Sequence, residues 1–418
     1  MTGLACLSVP GCRVPLPVLE ALSFTRDELD GALHDLRRRT GASQVCLLST
    51  CERTEIYATW DGEPDADALV SALAGNRGMP VAVVDESSDR FTGRQAARHL
   101  LRVTAGLESF VLGESDIVGQ VRSAADASRA AGTGGLELER LLATAVNTSR
   151  RVHRSTSFGE GGRSVAAAAV HQAATDNGGD LAGRRVLVIG AGQVATEVAT
   201  SAARLGAAVT VCNRTKRHAD RFAAAGATVV DLSRLAEVLP TADLAIFGTA
   251  APHRLLDADG LARIHPREGR DLLVVDLCVP RNVDPAVRAV PGVRLVDLAD
   301  LRRTAAHASE AVTRDVTRAE RIVDEELDRY LRWLAGRAAA VSVRRLRADV
   351  DACAQSQAEL ATRGLPEHLR PAVEDGVRRA VRRLAHGPTK RLLEAAEAGD
   401  HELVELLSGL FATPVPQP

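Results

Sequence analysis

The first third of the chain alternates short apolar runs with amphipathic stretches. Residues 4–8 and 45–49 are apolar runs of the kind that form buried strands, and 54–60 alternates like a further strand. Leucines recur at helical spacing over 26–39 and predict a helix there. The other predicted elements are helices over 92–104, 114–130 and 136–154, while 62–87 is predicted to be irregular apart from a short helix near 66–74. Together these elements predict an N-terminal α/β domain over residues 1–160.

The middle of the chain follows a different pattern. Apolar strands are predicted at 186–190, 209–213, 228–230, 244–249 and 272–277, with helices at 193–205 and 216–224. Continuous apolar strands separated by helices are typical of a parallel sheet that is covered on both faces. The sequence therefore predicts a doubly wound Rossmann domain over 161–300, after a hinge-like segment at 157–162.

From about residue 300 onward the pattern is purely helical. Apolar residues between Val312 and Leu334 step by three and four, which predicts a long spinal helix over 301–340. Helices predicted at 341–359, 368–385 and 389–398 would form a C-terminal helical domain over 341–412. The proline-rich end, 413–418, is predicted to be a disordered tail.

Composition narrows the possible functions. The chain has 418 residues, which is too many for one ordinary domain. Its proportions of apolar residues (45%) and charged residues (25%) are typical of globular proteins. The net charge of −2 argues against a generally basic nucleic-acid binder, and we expect no DNA partner. Because only 3% of the residues are aromatic, a base-stacking platform for single strands is not expected either.

The sequence also bears on compartment and metal content. No apolar run reaches the roughly 18 residues that a membrane span requires, and the N-terminus lacks the pattern of a secretory signal. Seven scattered cysteines fit a reducing compartment, so we expect a cytoplasmic protein without a membrane partner. Cys-x-x-Cys and His-Glu-x-x-His patterns are missing from the sequence, and no metal site is predicted.

A glycine fingerprint follows the first predicted strand of the middle region. Its spacing is Gly-x-Gly-x-x-Ala, directly after a strand and at the start of a helix, which is the context of a dinucleotide-binding loop. There the helix N-terminus provides N–H donors to the pyrophosphate. The residues predicted to form this loop are Gly190, Ala191, Gly192, Gln193, Val194 and Ala195.

The end of the second strand indicates which dinucleotide binds. An NAD-binding site places Asp or Glu there, to bind the ribose 2′-hydroxyl. Here the segment reads Asn213, Arg214, Thr215 and Lys216, with no acid and with cations suited to a 2′-phosphate. The sequence therefore predicts NADP(H), against the alternative of a solvated helix start.

Cys51 is the candidate nucleophile. It lies in LLSTCERTEIY, just beyond an apolar strand, with Arg53 two residues away and His99 able to approach it in the fold. A thiolate next to a cation is nucleophilic. From the residues alone, a cysteine after a strand is more often a small core residue, and both interpretations stay open.

Several segments together resemble the glutamyl-tRNA reductase family. STCERTEIY at 49–57 is similar to that family's first signature, and HLLRVTAGLESFVLGESDIVGQVRSA at 99–124 is similar to its second. GAGQVA, CNRT, VDLCVPRNVDP (275–285) and HGPTKRL (386–392) follow in the family's order. The resemblance covers essentially the whole chain.

The resemblance implies a two-step reduction of an aminoacyl-tRNA. Cys51 would attack the ester of glutamyl-tRNA to give a thioester, which NADPH would reduce to glutamate 1-semialdehyde for tetrapyrrole synthesis. It implies that His99 tunes Cys51 or orients the ester, and that Arg53 holds the glutamyl carboxylate. The other positions that match the family's substrate site are Thr50, Ser109, Glu114 and Gln120. For Thr50 and Ser109, a local capping role is the alternative.

The chain also departs from the family pattern. The family's Asn after the nucleophile is Glu52 here, and Glu-Pro-Gln becomes Glu114, Ser115 and Asp116; we count Glu52, Ser115 and Asp116 among the substrate-site residues. Added carboxylates would repel an anionic glutamyl group unless they are paired. This leaves open a divergent second copy that uses another aminoacyl or acyl group, or a non-catalytic homologue that binds tRNA or a partner.

Two further predictions concern partners. Arginines at 150, 151 and 154, or those at 378, 379, 382 and 383, are candidates for tRNA phosphate contacts, with a solvated helix face as the alternative. The family's dimer uses the C-terminal helices, so we expect a homodimer, with the seam at Tyr330 and Leu334 consistent with it. The downstream semialdehyde aminomutase is a further candidate partner.

Overall fold

The computed structural model shows a multidomain α/β protein, as predicted. The chain divides into two compact units, Thr2–Asp324 and Glu325–Pro418. The first unit contains two separate sheets, and the second is helical wherever its residues form regular structure. The residues that the structure describes are 2–109, 111–114, 116–159, 165–176, 179–249, 251–264, 271–304, 310–398, 400, 403–404 and 406. Among these residues, no helix is both long enough and apolar enough to cross a membrane.

The N-terminal part of the first unit folds around an antiparallel sheet. Its strands are β1 (Thr2–Pro10), β2 (Gln44–Ser49), β3 (Arg53–Asp61) and β4 (Asp89–Thr92). Its helices are α1 (Leu16–Leu22), α2 (Leu29–Thr40), α3 (Ala66–Arg77), α4 (Val81–Glu86), α5 (Gly93–Thr104), α6 (Asp116–Ala130) and α7 (Leu136–Ser155). The strand order is β2-β3-β1-β4.

The two faces of this sheet differ in chemistry. Successive side chains on a strand point to opposite faces. Leu7 and Ile56 therefore lie on one face, within the main apolar cluster of this part of the unit. Ser8 and Glu55 are register partners on the opposite face, where they are buried and hydrogen-bonded to each other. The sheet thus carries a buried polar set on the face away from the apolar cluster.

One stretch is more regular than predicted. Residues 62–87 contain α3, which runs to Arg77, and the additional helix α4, so the prediction of an irregular segment is wrong there. The segment Asp89–Thr92 forms an edge strand before α5. Four residues of half-exposed, mixed polarity carry too little periodicity to predict such a strand.

The second sheet is parallel and lies later in the same unit. Its strands are β5 (Arg185–Ile189), β6 (Ala208–Asn213), β7 (Thr228–Asp231), β8 (Leu244–Phe247), β9 (Leu272–Asp276) and β10 (Val293–Asp297). The helices that accompany it are α8 (Val165–Asp176), α9 (Gln193–Arg204), α10 (Lys216–Ala224), α11 (Leu235–Val238) and α12 (Ala258–Ile264). Of these elements, α8, α11, α12 and β10 were not predicted.

The strand order of this sheet is β10-β9-β8-β5-β6-β7. Counted from β5, this is the doubly wound order: the first three strands extend the sheet to one side, and the fourth is added on the other side of the first. Dinucleotides bind at that switch point, outside the carboxyl ends of the strands. The glycine loop follows β5, so the fold places it at the switch point.

The last helices are longer than predicted. They are α13 (Leu298–Thr304), α14 (Glu310–Thr362) and α15 (Arg370–Ala398). A break at 340 and another between 385 and 389 were predicted; both are wrong, since α14 runs through 340 and α15 continues through Pro388. The limits of the domains stay a prediction, and the tail at 413–418 lies outside the described residues.

Candidate active site

Cys51 lies at the tip of the turn between β2 and β3. The Thr50 side-chain oxygen accepts hydrogen bonds from the backbone N–H groups of Glu52, at 3.0 Å, and Arg53, at 3.2 Å. The Thr50 N–H closes the turn on the Arg53 carbonyl oxygen at 2.8 Å. Thr50 therefore caps the turn, which was the alternative to its predicted role in substrate binding. The same turn holds the half-buried Cys51.

Cys51 lies next to the nucleotide-binding part of the unit. It packs against the apolar cluster of the parallel sheet, which Ala191 and Val194 of the glycine loop also contact. Cys51 also contributes to raising the pKa of the Cys278 thiol, after the larger effects of burial and of Asp276. Cys51 and two residues of the glycine loop therefore pack on one apolar cluster.

Arg53 extends from the start of β3 and is 3% exposed. Its Nη1 donates to Glu55 Oε1 at 3.2 Å, and its Nη2 donates to the carbonyl oxygen of Glu108. Its Nε has no hydrogen-bond partner among the described residues, and neither does the side-chain oxygen of Ser109, which is 7% exposed. Buried donors without a partner are costly, and a bound anionic group would satisfy them.

Glu55 is the centre of the buried polar set and was not predicted as a site residue. Its carboxylate accepts hydrogen bonds from Ser8 Oγ at 2.9 Å, Tyr57 Oη at 2.6 Å and Arg53. Burial alone would raise the pKa of Glu55, but His99, Arg53 and Tyr57 together hold it well below its ordinary value. The signal in the sequence was an acid two residues after Arg53, on the same face of a strand.

His99 is held by this carboxylate. Its Nε2 lies 3.0 Å from Glu55 Oε1, and its ring stacks on Phe91 with centroids 4.4 Å apart. The side chain of His99 is 10% exposed. The structure therefore places His99 on the Glu55 carboxylate, which orients the imidazole; a role toward Cys51 stays a prediction.

The added carboxylates form a group with Glu114. Burial, Glu52 and Asp116 raise the pKa of Glu114 to about 9. Burial and a hydrogen bond with Glu197 raise the pKa of Asp116 to about 7. Glu114 is therefore uncharged near neutral pH, which weakens the repulsion of an anionic substrate that the sequence predicted.

Asp116 also connects the two halves of the first unit. It begins α6, and its Oδ1 accepts a hydrogen bond from Gln193 Nε2 of the glycine loop at 2.5 Å. Gln120 lies one helical turn further along α6 and is half-buried. Ser115 lies outside the described residues.

The glycine loop has the geometry that a pyrophosphate requires. Gly190 has a φ of 121°, and a Cβ there would overlap the Gly248 carbonyl oxygen. Gly192 is the N-cap of α9 and has open space around its Cα, while Ala195 is buried where the helix meets the sheet. The structure thus gives each position of the fingerprint its expected steric role.

The other predicted cofactor residues follow β6, and one further arginine bonds to the glycine loop. Asn213 ends β6 and its Nδ2 donates to the Thr215 carbonyl oxygen at 2.9 Å, while Arg214 is exposed. Thr215 is the N-cap of α10, and Lys216 begins that helix. Arg221, which was not predicted, donates to the Ala191 carbonyl oxygen at 2.5 Å. Binding of NADP(H) phosphates by these residues stays a prediction.

Both candidate tRNA clusters include arginines that have partners. Arg378 and Arg382 of α15 bond to Gln355 at 2.8 Å and Asp351 at 3.0 Å, and Arg379 pairs with Asp375 at 3.0 Å. Arg150 of α7 donates to Asn147 at 3.5 Å and lines a groove of about 330 Å³ between α6 and α7, which also contains the acids Asp126 and Glu139. Contact of either cluster with tRNA phosphates stays a prediction.

Comparison with known proteins agrees with this layout. Family models match residues 10–156 ("Glutamyl-tRNAGlu reductase, N-terminal domain"), 172–304 ("Shikimate / quinate 5-dehydrogenase") and 318–413 ("Glutamyl-tRNAGlu reductase, dimerisation domain"). The middle match makes the parallel-sheet region similar to a dehydrogenase, and the last one supports a homodimer.

Individual relatives span the whole chain. It is 54% identical to glutamyl-tRNA reductase 2 of Nocardioides sp. over 99% of this chain and 93% of that protein. It is 36% identical to glutamyl-tRNA reductase of Salinispora arenicola over 96% of this chain and 90% of that protein. The solved glutamyl-tRNA reductase of Methanopyrus kandleri is 28% identical and covers 97% of this chain and 98% of its own, with a TM-score of 0.49. The identity with the first two of these relatives shows that the chain belongs to the glutamyl-tRNA reductase family.

Proposed function

We propose that this protein reduces tRNA-bound glutamate to glutamate 1-semialdehyde with NADPH, the first step of five-carbon tetrapyrrole synthesis. The observation that carries the proposal is the position of Cys51, half-buried at a turn and packed on the same apolar cluster as the glycine-loop residues Ala191 and Val194. The family relationship supports the substrate. Because charged tRNA is its substrate, we expect the reaction in the cytoplasm.

The first step is acyl transfer to Cys51. Its sulfur attacks the ester carbonyl, the ester C–O bond breaks, and the tRNA leaves with its hydroxyl restored by a proton. This forms a thioester on Cys51. Bound NADPH supplies a hydride, and the thioester carbon becomes the aldehyde while the sulfur departs as thiolate. The chain's own residues must hold the acyl group and exclude water between the two steps.

The buried donors near Cys51 suit the glutamyl side chain. Arg53 Nε and the Ser109 hydroxyl are without protein partners among the residues described, so a carboxylate can accept from both. Glu114, whose raised pKa of about 9 keeps it protonated, adds a neutral donor and not a repelling charge. His99, oriented by Glu55, is proposed to position the ester or tune Cys51.

The loop residues Gly190 to Ala195 and the cations Arg214 and Arg221 are proposed to hold NADPH. Arg150, with its neighbours Arg151 and Arg154, is proposed to contact tRNA phosphates. A homodimer through the C-terminal helices and transfer of the product to a semialdehyde aminomutase complete the proposal.

The test is a two-stage incubation. Purified protein with charged glutamyl-tRNA and no NADPH should give a glutamyl adduct on Cys51, located by mass spectrometry, and NADPH should then release the semialdehyde. Cys51→Ser should form neither product. Other charged tRNAs test the divergent-copy alternative, and the absence of an adduct with every tRNA would leave only a binding role.

A further inference from the structure

Glu108 is held at both of its polar groups. Its carbonyl oxygen accepts a hydrogen bond from Arg53 Nη2, and its carboxylate accepts one from Arg102 Nε at 2.8 Å. It follows α5 in the chain and directly precedes Ser109, one of the buried donors of the candidate site. We propose that Arg102 and Glu108 are positioning residues that set the direction of the Arg53 guanidinium and thereby select an acyl group that ends in a carboxylate.

The hydrogen bonds of Arg53 show why its direction depends on Glu108. Arg53 Nη1 donates to Glu55 Oε1 at 3.2 Å, and Nη2 donates to the Glu108 carbonyl oxygen. A guanidinium group is planar, and its N–H groups form a rigid fork. Because both terminal nitrogens are held, the direction of the N–H group on Nε is held as well. A shift of Glu108 would therefore turn the Arg53 guanidinium away from its present direction.

Two buried donors depend on this arrangement. Arg53 Nε and the Ser109 hydroxyl have no hydrogen-bond partner within the part of the chain that the structure describes. Glu108 is connected to both residues, through a hydrogen bond to Arg53 and through the chain to Ser109. Donors that are already fixed in place lose little freedom when a ligand binds, so holding Glu108 favours binding of a carboxylate to both of them.

Arg102 holds Glu108 against the end of α5. The Leu107 N–H donates to the Arg102 carbonyl oxygen at 3.0 Å, and Gly106 has a φ of 75°, so the chain turns tightly after the helix. This turn brings the Glu108 carboxylate back to the Arg102 side chain. The ion pair thus adds a side-chain constraint to the one that the backbone provides.

Arg102 is itself held by a second acid. Its Nη1 donates to Glu320 of α14, and Arg98, one turn earlier on α5, donates to the same carboxylate at 2.7 Å. An isolated exposed pair contributes little to stability, whereas a network restrains each side chain through more than one partner. Within the described residues, Arg98 bonds to Glu320 and Asp324 and not to Glu108, which makes it a matched control for Arg102.

The expected consequence is a change in specificity. The inference rests on the proposed function, in which Arg53 binds the carboxylate of the glutamyl group. A charged hydrogen bond between guanidinium and carboxylate is strong and depends on direction, whereas the amide of a glutaminyl group gains less from the same donor. Misplaced donors should therefore slow the reaction of the glutamyl group more than that of the glutaminyl group.

The first test compares two acyl groups on the same tRNA, which is charged with glutamate or with glutamine. Acylation of Cys51 without NADPH is followed by mass spectrometry at low tRNA concentration. Glu108→Ala and Arg102→Met should lower the wild-type preference for the glutamyl group by about 10–100-fold, since a misplacement of about 1 Å can cost about 100-fold. Glu108→Gln, which keeps an acceptor for Arg102, should lose less, and Arg98→Met should keep the wild-type preference.

The second test needs neither tRNA nor NADPH. Glutarate carries two carboxylates on a five-carbon chain, as glutamate does, and glutaramide is its uncharged counterpart. In wild type, glutarate should slow the alkylation of Cys51 by iodoacetamide more than glutaramide does at the same concentration. Glu108→Ala and Arg102→Met should abolish this difference, and Arg98→Met should keep it. Mass spectrometry of the peptide that contains Cys51 measures the rates.

The two tests separate the possible failures. If no charged tRNA acylates wild type, but glutarate protects Cys51 in wild type and not in Glu108→Ala, the proposed function fails and the positioning role stands. Equal protection by glutarate and glutaramide in wild type would contradict the inference. Equal slowing of both acylations in Glu108→Ala would also contradict it, because this indicates a general folding defect.

The control variant gives the remaining outcome. Loss of the preference in Arg98→Met would contradict the inference, since the effect would then come from the contact between α5 and α14 as a whole. Thermal unfolding shows whether each variant folds. Should Arg102→Met fail to fold, Arg102→Lys replaces it with the same expectation, because lysine keeps the charge but lacks the rigid fork.

Discussion

At the scale of single residues, the environment of each carboxyl group decides its charge. His99, Arg53 and Tyr57 hold the pKa of Glu55 well below its ordinary value despite its burial, whereas burial, together with the neighbouring acids Glu52 and Asp116, raises the pKa of Glu114 to about 9. The same residue type thus serves as a fixed anion in one place and as a neutral donor in the other. Sequence inspection predicted repulsion from the added acids Glu52 and Asp116 but could not predict that they raise the pKa of Glu114.

The raised pKa of Glu114 predicts a pH dependence of stability. Between its ordinary value of 4.5 and about 9, the folded protein keeps a proton that the unfolded chain has released, so stability falls as pH rises through this window. From this group we expect a loss of roughly 2–3 kcal/mol between pH 6.5 and 8.5.

Thermal unfolding at several pH values measures this effect. Glu114→Gln should remove that part of the slope, while an exposed control, Glu237→Gln, should keep it. If stability changes with pH in the same way in wild type and in Glu114→Gln, Glu114 is ionised in the folded protein and the prediction is wrong.

Cofactor choice is a second prediction at this scale. Arg214 is exposed at the end of β6, where a 2′-phosphate would lie. Arg214→Ala should reduce the preference for NADPH over NADH by roughly 10–100-fold, since a charged hydrogen bond is worth about 1.5–3 kcal/mol. Binding titrations with both nucleotides measure it, and Arg217→Ala, an exposed arginine further along α10, is the control. An equal effect of both variants would point to general charge attraction.

At the scale of elements, the turn from β5 to α9 separates two roles of glycine. Gly190 needs its positive φ and has no room for a Cβ, so Gly190→Ala should destabilise the parallel-sheet region, by roughly 2–4 kcal/mol. Gly192 has neither restriction, so Gly192→Ala should leave unfolding nearly unchanged and still weaken NADPH binding, because a methyl group blocks close approach of the pyrophosphate. Calorimetry and nucleotide titration separate the two; full NADPH affinity in Gly192→Ala would contradict the loop assignment.

Helix ends illustrate what local pattern can predict. The end of α10 agrees with its prediction, and α9 ends within one residue. The predicted break at 340 is absent, and α14 ends near Gly364, which has a φ of 81°, and Pro366, the residues that usually stop a helix. The predicted end at 340 was based on a change in the periodicity of apolar residues, whereas the residues that stop the helix come about 20 positions later. Pro388 shows the reverse, since packing keeps α15 continuous through a residue that usually breaks helices.

At the scale of the whole molecule, polar side-chain contacts among the described residues help to join the antiparallel-sheet and parallel-sheet regions of the first unit. Arg281 pairs with Glu20 at 2.7 and 2.8 Å, and Asp116 accepts from Gln193. Glu20→Gln should slow release of the semialdehyde about 10-fold while acylation of Cys51 continues, because it loosens the alignment of the nucleotide region. Single-turnover assays separate the steps. Glu237→Gln, which breaks only a surface pair with Arg234, should change neither, and an equal slowing of both steps in Glu20→Gln would indicate a general folding defect.

Assembly gives the last prediction. Leu384 of α15 is 80% exposed within the region that matches the dimerisation domain. Leu384→Glu should shift the protein from dimer toward monomer in sedimentation, since a charge replaces an apolar contact. Leu136→Glu, an exposed leucine on α7, should leave the mass unchanged. A monomeric wild type would contradict the prediction.

The sequence by itself determined the elements and the chemistry they could carry. Periodicity located most strands and helices, and the signature around Cys51 and the glycine loop after β5 are local in the chain. Only the tertiary structure decided the partners of the reactive groups. Glu55 gathers Ser8, Tyr57 and His99 from two strands and a helix, and Asp116 meets Gln193 from 77 residues away. Strand register and helix packing set such contacts, and with them the burial and charge of each group, and neither is written in a local pattern.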